Sequence, residues 1–195
     1  MKRRALFLDR DGIINVDTGY VHAIEQFAFV PGIFDLVRFA SVELGWAVVV
    51  ATNQSGIGRG LFDEATFERL TAWMLRRFAE EGAPLTRVYH CPYHPDAGIG
   101  PYRRDHPWRK PHPGMILQAA ADLDLDLANS AFVGDEMRDM QAAAAAGIEM
   151  RIRLNKAGIQ TETGAPAHDV VGDLAEALAL LRRRAGAAAA NGGKS

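Results

Sequence analysis

The chain predicts an α/β fold built on a doubly wound parallel sheet. Three observations lead there. Short apolar runs alternate with segments of helical period, as in repeated βαβ units. The run Ala47-Val48-Val49-Val50-Ala51 is continuous rather than alternating, as in a strand buried on both faces. Polar residues able to do chemistry follow the apolar runs, where open α/β sheets place their ligands.

Taken in order, Ala5–Leu8 is a short apolar run bounded by Asp9-Arg10-Asp11-Gly12, and reads as a buried first strand. Ile33, Leu36, Val37, Ala40 and Leu44 share one helical face; Pro31 suits the first turn and Gly45 the stop. Ala47–Ala51 is the second strand. Phe67, Leu70, Met74 and Phe78 mark a second helix, with Asp63 or Glu64 near its start. Arg87–His90 is a weaker strand. Ile116, Ala119, Ala120 and Leu123 mark a helix begun by Pro113-Gly114. Ala131–Gly134 is a fourth strand, Met137–Ala146 a helix stopped by Gly147, and Ile148–Leu154 a fifth strand. Asp169–Val171 adds a short edge strand, and Leu174, Ala177, Leu178 and Leu181 mark a closing helix. One domain over 1–182 is expected, with a frayed tail from Arg183 to Ser195, rich in Ala and Gly.

Composition narrows the function classes. The chain has 195 residues, 48% hydrophobic, enough for one domain with a real core. The formal net charge of −2 leaves no basic excess for a nucleic-acid surface. The single cysteine, Cys91, excludes an intrachain disulfide and any site of several thiolates. No apolar run approaches the ~18 residues of a membrane span. Lys2-Arg3-Arg4 mimics the start of a signal peptide, but the apolar run after it ends at Asp9, short of an h-region of ~7–15 residues. A cytoplasmic monomer, with no nucleic-acid or membrane partner, is the expectation.

Four polar groups converge at the sheet's carboxyl edge if the sheet is doubly wound. They are Asp9 with Asp11, Thr52-Asn53-Gln54-Ser55-Gly56, Arg109-Lys110 and Gly134-Asp135-Glu136. Carboxylates at Asp9, Asp11 and Asp135 suit a hard cation such as Mg²⁺. Asp9 can then attack phosphorus as a nucleophile. Thr52 and Lys110 balance charge on the phosphoryl group, and Asp11 exchanges a proton with the leaving oxygen and with water. Glu136 and Asp139 open a helix, where acidic side chains are favoured electrostatically, and read as mostly structural.

This ordered set resembles the haloacid dehalogenase superfamily of phosphotransferases, over roughly residues 5–182. Asp9-Arg10-Asp11-Gly12, Gly19-Tyr20-Val21-His22, Thr52–Gly56, Cys91-Pro92 and Arg109–Met115 resemble its sugar-bisphosphate phosphatases more closely. The resemblance implies Asp9 as nucleophile, Asp11 as general acid/base, and Mg²⁺ on Asp9, Asp135 and the Asp11 carbonyl. It implies substrate contacts from Asp17, Thr18, Gly19 and Tyr20, from Asn53, Gln54 and Ser55, and from Arg109. The implied substrate is a phosphorylated sugar, heptose 1,7-bisphosphate, losing its C7 phosphate. Histidinol phosphate is the alternative substrate. A phosphate-binding module without turnover has no need of the Asp9/Asp11 pair. A phosphatase of DNA ends is disfavoured by the missing basic stripe.

Two departures matter. Many relatives insert a cap domain, but here the segments between the motifs hold only loops and one helix, so the fold is expected to be essentially capless. Many relatives also carry a structural Zn²⁺ on a Cys-x-His and a Cys-x-Cys pair. Here those positions read Cys91-Pro92-Tyr93 and His106-Pro107-Trp108, so zinc is doubtful.

Overall fold

Strand β1 (Ala5–Leu8) sends Leu6 and Leu8 to one face of the sheet and Ala5 and Phe7 to the other, and each face has its own core. The computed structural model describes residues 2–155, 166 and 168–192. The other elements in chain order are α1 (Ile33–Arg38), β2 (Ala47–Asn53), α2 (Ser55–Gly58), α3 (Glu64–Glu80), β3 (Arg87–Cys91), α4 (Gly114–Leu123), β4 (Ala131–Gly134), α5 (Met137–Ala145), β5 (Met150–Leu154), β6 (Asp169–Val171) and α6 (Leu174–Gly192). The six strands form one sheet in the order β3-β2-β1-β4-β5-β6, and every pairing is parallel. The winding reverses at β1, which pairs with β2 on one side and β4 on the other. A crevice opens at such a reversal, beyond the carboxyl ends of the strands.

Helices cover both faces. Leu36, Leu70, Met74, Phe78, Leu174 and Leu181 pack with Leu6, Leu8, Val48 and Val50, which places α1, α3 and α6 on one side. Met115, Ile116, Ala119, Met140 and Ala143 pack with Phe7, Val49 and Phe132, which places α4 and α5 on the other. This is the doubly wound sheet the sequence predicts.

The departures are local. The helical face expected to run to Leu44 continues past α1 as a π-helical turn over Phe39–Glu43, closed by Leu44 N–H donating to the Phe39 carbonyl at 3.0 Å. The fifth strand starts at Met150 rather than Ile148; Ile148 is buried among the residues under α5. α6 continues past Arg183, where the tail begins, as far as Gly192. Its alanines are the strongest helix formers, and they outweigh the glycines among them. Residues 193–195 lie outside the described residues. Among the described residues, no helix is long and apolar enough to cross a membrane.

Candidate active site

β1 ends in Asp9, whose backbone N–H donates to the Val133 carbonyl at 3.1 Å and so continues the ladder beside β4. The Arg10 N–H donates to Asp9 Oδ1 at 2.7 Å. The Arg10 side chain turns inward and is 1% exposed. Its guanidinium donates to Asp11 at 2.9 and 3.0 Å and to the Val21 carbonyl at 2.8 Å. Asn15 Nδ2 donates to the same Asp11 carboxylate at 3.0 Å. Asp11 therefore cannot swing freely, although it reaches the crevice.

The residues at the end of β2 are spent largely on architecture. Asn53 Nδ2 donates to the Lys110 carbonyl and Asn53 Oδ1 accepts from the Lys110 N–H, both at 3.0 Å. This pair of hydrogen bonds fixes Lys110 against β2. Gln54 Nε2 donates to Asp11 Oδ2 at 2.8 Å and to Thr52 Oγ1 at 2.9 Å. Thr52 is 1% exposed and Gln54 3%.

Lys110 is 2% exposed. Its Nζ lies 3.0 Å from Asp9 Oδ1 and 2.7 Å from Asp139 Oδ1. Oxygens of Asp9, Asp135 and Asp139 lie within 4.8 Å of one another. A buried cluster of this kind resists full ionisation. Burial pushes Asp9 up to about 8; Lys110 pulls it down, while Asp139, Asp135 and Asp11 add to the rise. Burial also pushes Asp135 up to about 7, helped by Asp139 and Glu136. Burial alone would favour discharge of Lys110, but Asp139 and Asp9 overcome it and hold the ammonium above its ordinary value.

The donor set fits a hard cation. Asp135 Oδ1 is buried with no hydrogen-bond partner. Gly12, at φ +85°, leaves space beside it, since a Cβ there would lie 1.9 Å from Asp135 Oδ2. Asp139 is otherwise committed, to Lys110 through Oδ1 and to the Glu136 N–H through Oδ2 at 3.1 Å. Asp9 and Asp135 remain as the carboxylates able to hold Mg²⁺, which takes oxygen ligands in near-octahedral geometry.

These groups bound a cavity of about 300 Å³. Asp9, Asp11, Asp17, Gly19, Tyr20, Asn53, Gln54, Ser55, Arg109 and Lys110, all singled out in the sequence, line it. Three expected residues are not on its wall. Thr18 is exposed outside it, Thr52 lies beneath Gln54, and Asp135 is half-buried behind Gly12. Arg59, His94 and Arg138 also line the cavity and were not expected there; Glu136, placed at the sheet's carboxyl edge from the sequence but read as mostly structural, lines it too. Arg138 pairs with Glu136. Long side chains from separate segments leave no local pattern that would announce such a meeting. His22, which follows Tyr20 and Val21, stacks on Phe62 at 5.1 Å beside a neighbouring hollow. Asp139 is the main omission. Its position in the first turn of α5 explains it fully by helix electrostatics, which hides its partnership with Lys110.

The loop after β3 is packed by rings. Tyr93 stacks on His106 at 4.2 Å and meets Tyr102 at 5.7 Å, with the Arg104 guanidinium 4.1 Å from the Tyr93 ring centre. His94 Nδ1 accepts from the Asp96 and Ala97 N–H groups at 3.2 and 3.1 Å, and His106 Nδ1 from the Trp108 N–H at 3.1 Å. Cys91 is buried, and burial raises its thiol. These residues do not fit a tetrahedral zinc site. Among the described residues, the ligand-bearing groups gathered closely enough for a metal are Asp9, Asp135 and Asp139.

A family model described as HAD-hydrolase-like matches residues 107–177. A D-glycero-alpha-D-manno-heptose-1,7-bisphosphate 7-phosphatase of Burkholderia mallei is 55% identical over 148 residues, 76% of this chain and 78% of the relative. A D-glycero-beta-D-manno-heptose-1,7-bisphosphate 7-phosphatase of Salmonella typhi is 44% identical over 92% of this chain and 96% of the relative. The crystal structure of the D,D-heptose 1,7-bisphosphate phosphatase of B. bronchiseptica, complexed with magnesium and phosphate, superposes with a TM-score of 0.79 at 35% identity, covering 92% of this chain and 98% of that one.

Proposed function

The chain belongs to the heptose-1,7-bisphosphate 7-phosphatase family of HAD-like hydrolases, and from that premise we propose that it removes the C7 phosphate of D-glycero-D-manno-heptose 1,7-bisphosphate through an aspartyl phosphate on Asp9. The observation that carries this reading is the meeting of Asp9, Asp11 and Lys110 around one cavity, with Lys110 Nζ 3.0 Å from Asp9.

The steps follow from what each side chain can do. An Asp9 oxygen forms a bond to phosphorus as the bond from phosphorus to the C7 oxygen breaks. Asp11 gives its proton to that departing oxygen. Water then attacks phosphorus, Asp11 takes a proton from it, and the Asp9 carboxylate is released with inorganic phosphate. Lys110 offsets charge on the phosphoryl oxygens from a dry position, where electrostatic attraction is strong. Asp9, Asp135 and the Asp11 carbonyl would hold Mg²⁺, which would supply further neutralisation of the phosphoryl charge.

Arg109, Arg59 and Arg138 stand around the cavity and suit a substrate with a second phosphate. The roles of Asp17, Gly19, Tyr20 and Ser55 in binding the sugar rest on their place in the same wall. The reaction suits a cytoplasmic enzyme supplying a precursor of nucleotide-activated heptose for the cell envelope. The ring-packed loop after β3 takes the place of a zinc site.

Steady-state kinetics on both anomers of heptose 1,7-bisphosphate, with histidinol phosphate in parallel, test the proposal. The heptose bisphosphate is expected to have the higher kcat/KM by about 100-fold, the discrimination that buried polar groups left unpaired by a wrong substrate give. A higher kcat/KM for histidinol phosphate would overturn it.

A further inference from the structure

We propose that Gln54 is a positioning residue that aims the proton-transferring group Asp11 and the phosphoryl-binding group Thr52 together, rather than a contact for the sugar. The inference rests on the roles given above to Asp11 and Thr52.

A primary amide has two N–H donors, and Gln54 commits both. One points to Asp11 Oδ2 at 2.8 Å and the other to Thr52 Oγ1 at 2.9 Å. Charge sets the orientation of the amide, because the reverse would place its oxygen against a carboxylate. The side chain is 3% exposed, so it offers a substrate little surface. Its backbone is anchored too, since the Gln54 N–H donates to the Cys91 carbonyl at 2.8 Å. Gln54 is thereby tied to β3, to β2 through Thr52, and to the loop after β1 through Asp11.

Each bond has a chemical consequence. A Thr52 hydroxyl that accepts from Gln54 keeps its own hydrogen available to donate toward a phosphoryl oxygen. Asp11 receives Arg10 and Asn15 from one side and Gln54 from the other. Arg10 also bonds Asp11 Oδ2, at 3.0 Å, but Arg10 and Asn15 belong to the same loop as Asp11 and move with it. Gln54 is the link that registers this loop against β2. Without it, Asp11 can turn away from the leaving oxygen while the rest of the wall stays in place.

The test uses Gln54→Met, which keeps length and removes both donors, with two substrates. Heptose 1,7-bisphosphate has an alkoxide leaving group that needs a proton; 4-nitrophenyl phosphate has one that does not. Gln54→Met is expected to lower kcat/KM for heptose bisphosphate by about 10- to 100-fold, the scale of a misplaced catalytic group, and for 4-nitrophenyl phosphate by about threefold. In an Asp11→Asn background the same substitution is expected to lower kcat/KM for heptose bisphosphate by no more than about threefold, the part that passes through Thr52, because the proton-transferring group being aimed is gone. Equal losses on both substrates, a rise in KM alone, or full additivity with Asp11→Asn would overturn the proposal. If Gln54→Met does not fold, Gln54→Asn serves, since its shorter amide cannot span both partners. Asp11→Asn alone separates the two ideas: normal activity in that variant contradicts the role of Asp11 itself, whereas a crippled Asp11→Asn beside a normal Gln54→Met contradicts only the clamp.

Discussion

Lys110 Nζ lies 2.7 Å from Asp139 Oδ1 where neither side chain is more than 1% exposed. Asp9 shares the same ammonium at 3.0 Å. One cation thus serves two carboxylates, and Asp139 keeps Lys110 from collapsing wholly onto the nucleophile. Asp139→Asn is expected to lower kcat at least about tenfold and to cost about 2 kcal/mol of stability, the scale of a lost hydrogen bond to a charged group. Activity assays and denaturant unfolding measure both. A kcat within twofold of the parent would show that Asp9 alone positions Lys110.

The acidic cluster makes metal-free stability depend on pH. Asp9 and Asp135 titrate at about 8 and about 7 in the fold, against 3.8 without it. The folded state therefore holds protons that the unfolded chain has released, and stability falls as pH rises from about 4 through 8. Melting in EDTA at pH 5.5 and pH 8.5 is expected to show this fall. Asp9→Asn is expected to reduce it, and Mg²⁺ to raise Tm more at pH 8.5 than at pH 5.5. A metal-free protein more stable at pH 8.5, or no change with Asp9→Asn, would contradict the assignment.

Gly12 makes room for a metal ligand. Ala at this position would put its Cβ 1.9 Å from Asp135 Oδ2, at a φ of +85°. Gly12→Ala is expected to cost about 1–2 kcal/mol in backbone strain and to weaken Mg²⁺ binding at least about tenfold by displacing Asp135. Magnesium titration of activity reads the second effect. An unchanged Mg²⁺ requirement would remove Asp135 from the metal site.

The loop after β3 is expected to stand without metal. Elemental analysis of purified protein should find no stoichiometric zinc, and EDTA should leave the melting of this loop unchanged. Tyr93→Ala should loosen it, because Tyr93 meets His106, Tyr102 and Arg104. Faster proteolysis between 93 and 108 would report that. One zinc per chain would contradict this account.

The sheet was legible because its strands are buried on both faces and therefore read as plain apolar runs, as at Ala5–Leu8 and Ala47–Ala51. Asp9, Asp11 and Lys110 were legible because strand ends and a helix start fix where they must go. The helix α2 left no trace, because four residues with two glycines show no periodicity. Asp139 was hidden behind a sufficient local explanation. The resemblance implies a substrate contact at Gln54, but the sequence does not say that its amide faces Asp11 and Thr52. Arg59 and Arg138 come to the same cavity only in three dimensions.

The most direct test is phosphorus NMR of heptose 1,7-bisphosphate incubated with the protein, once with Mg²⁺ and once with EDTA. Loss of the C7 phosphate signal alone, with Mg²⁺ and not with EDTA, is the predicted result. Loss of the C1 phosphate, or release unaffected by EDTA, would contradict the account.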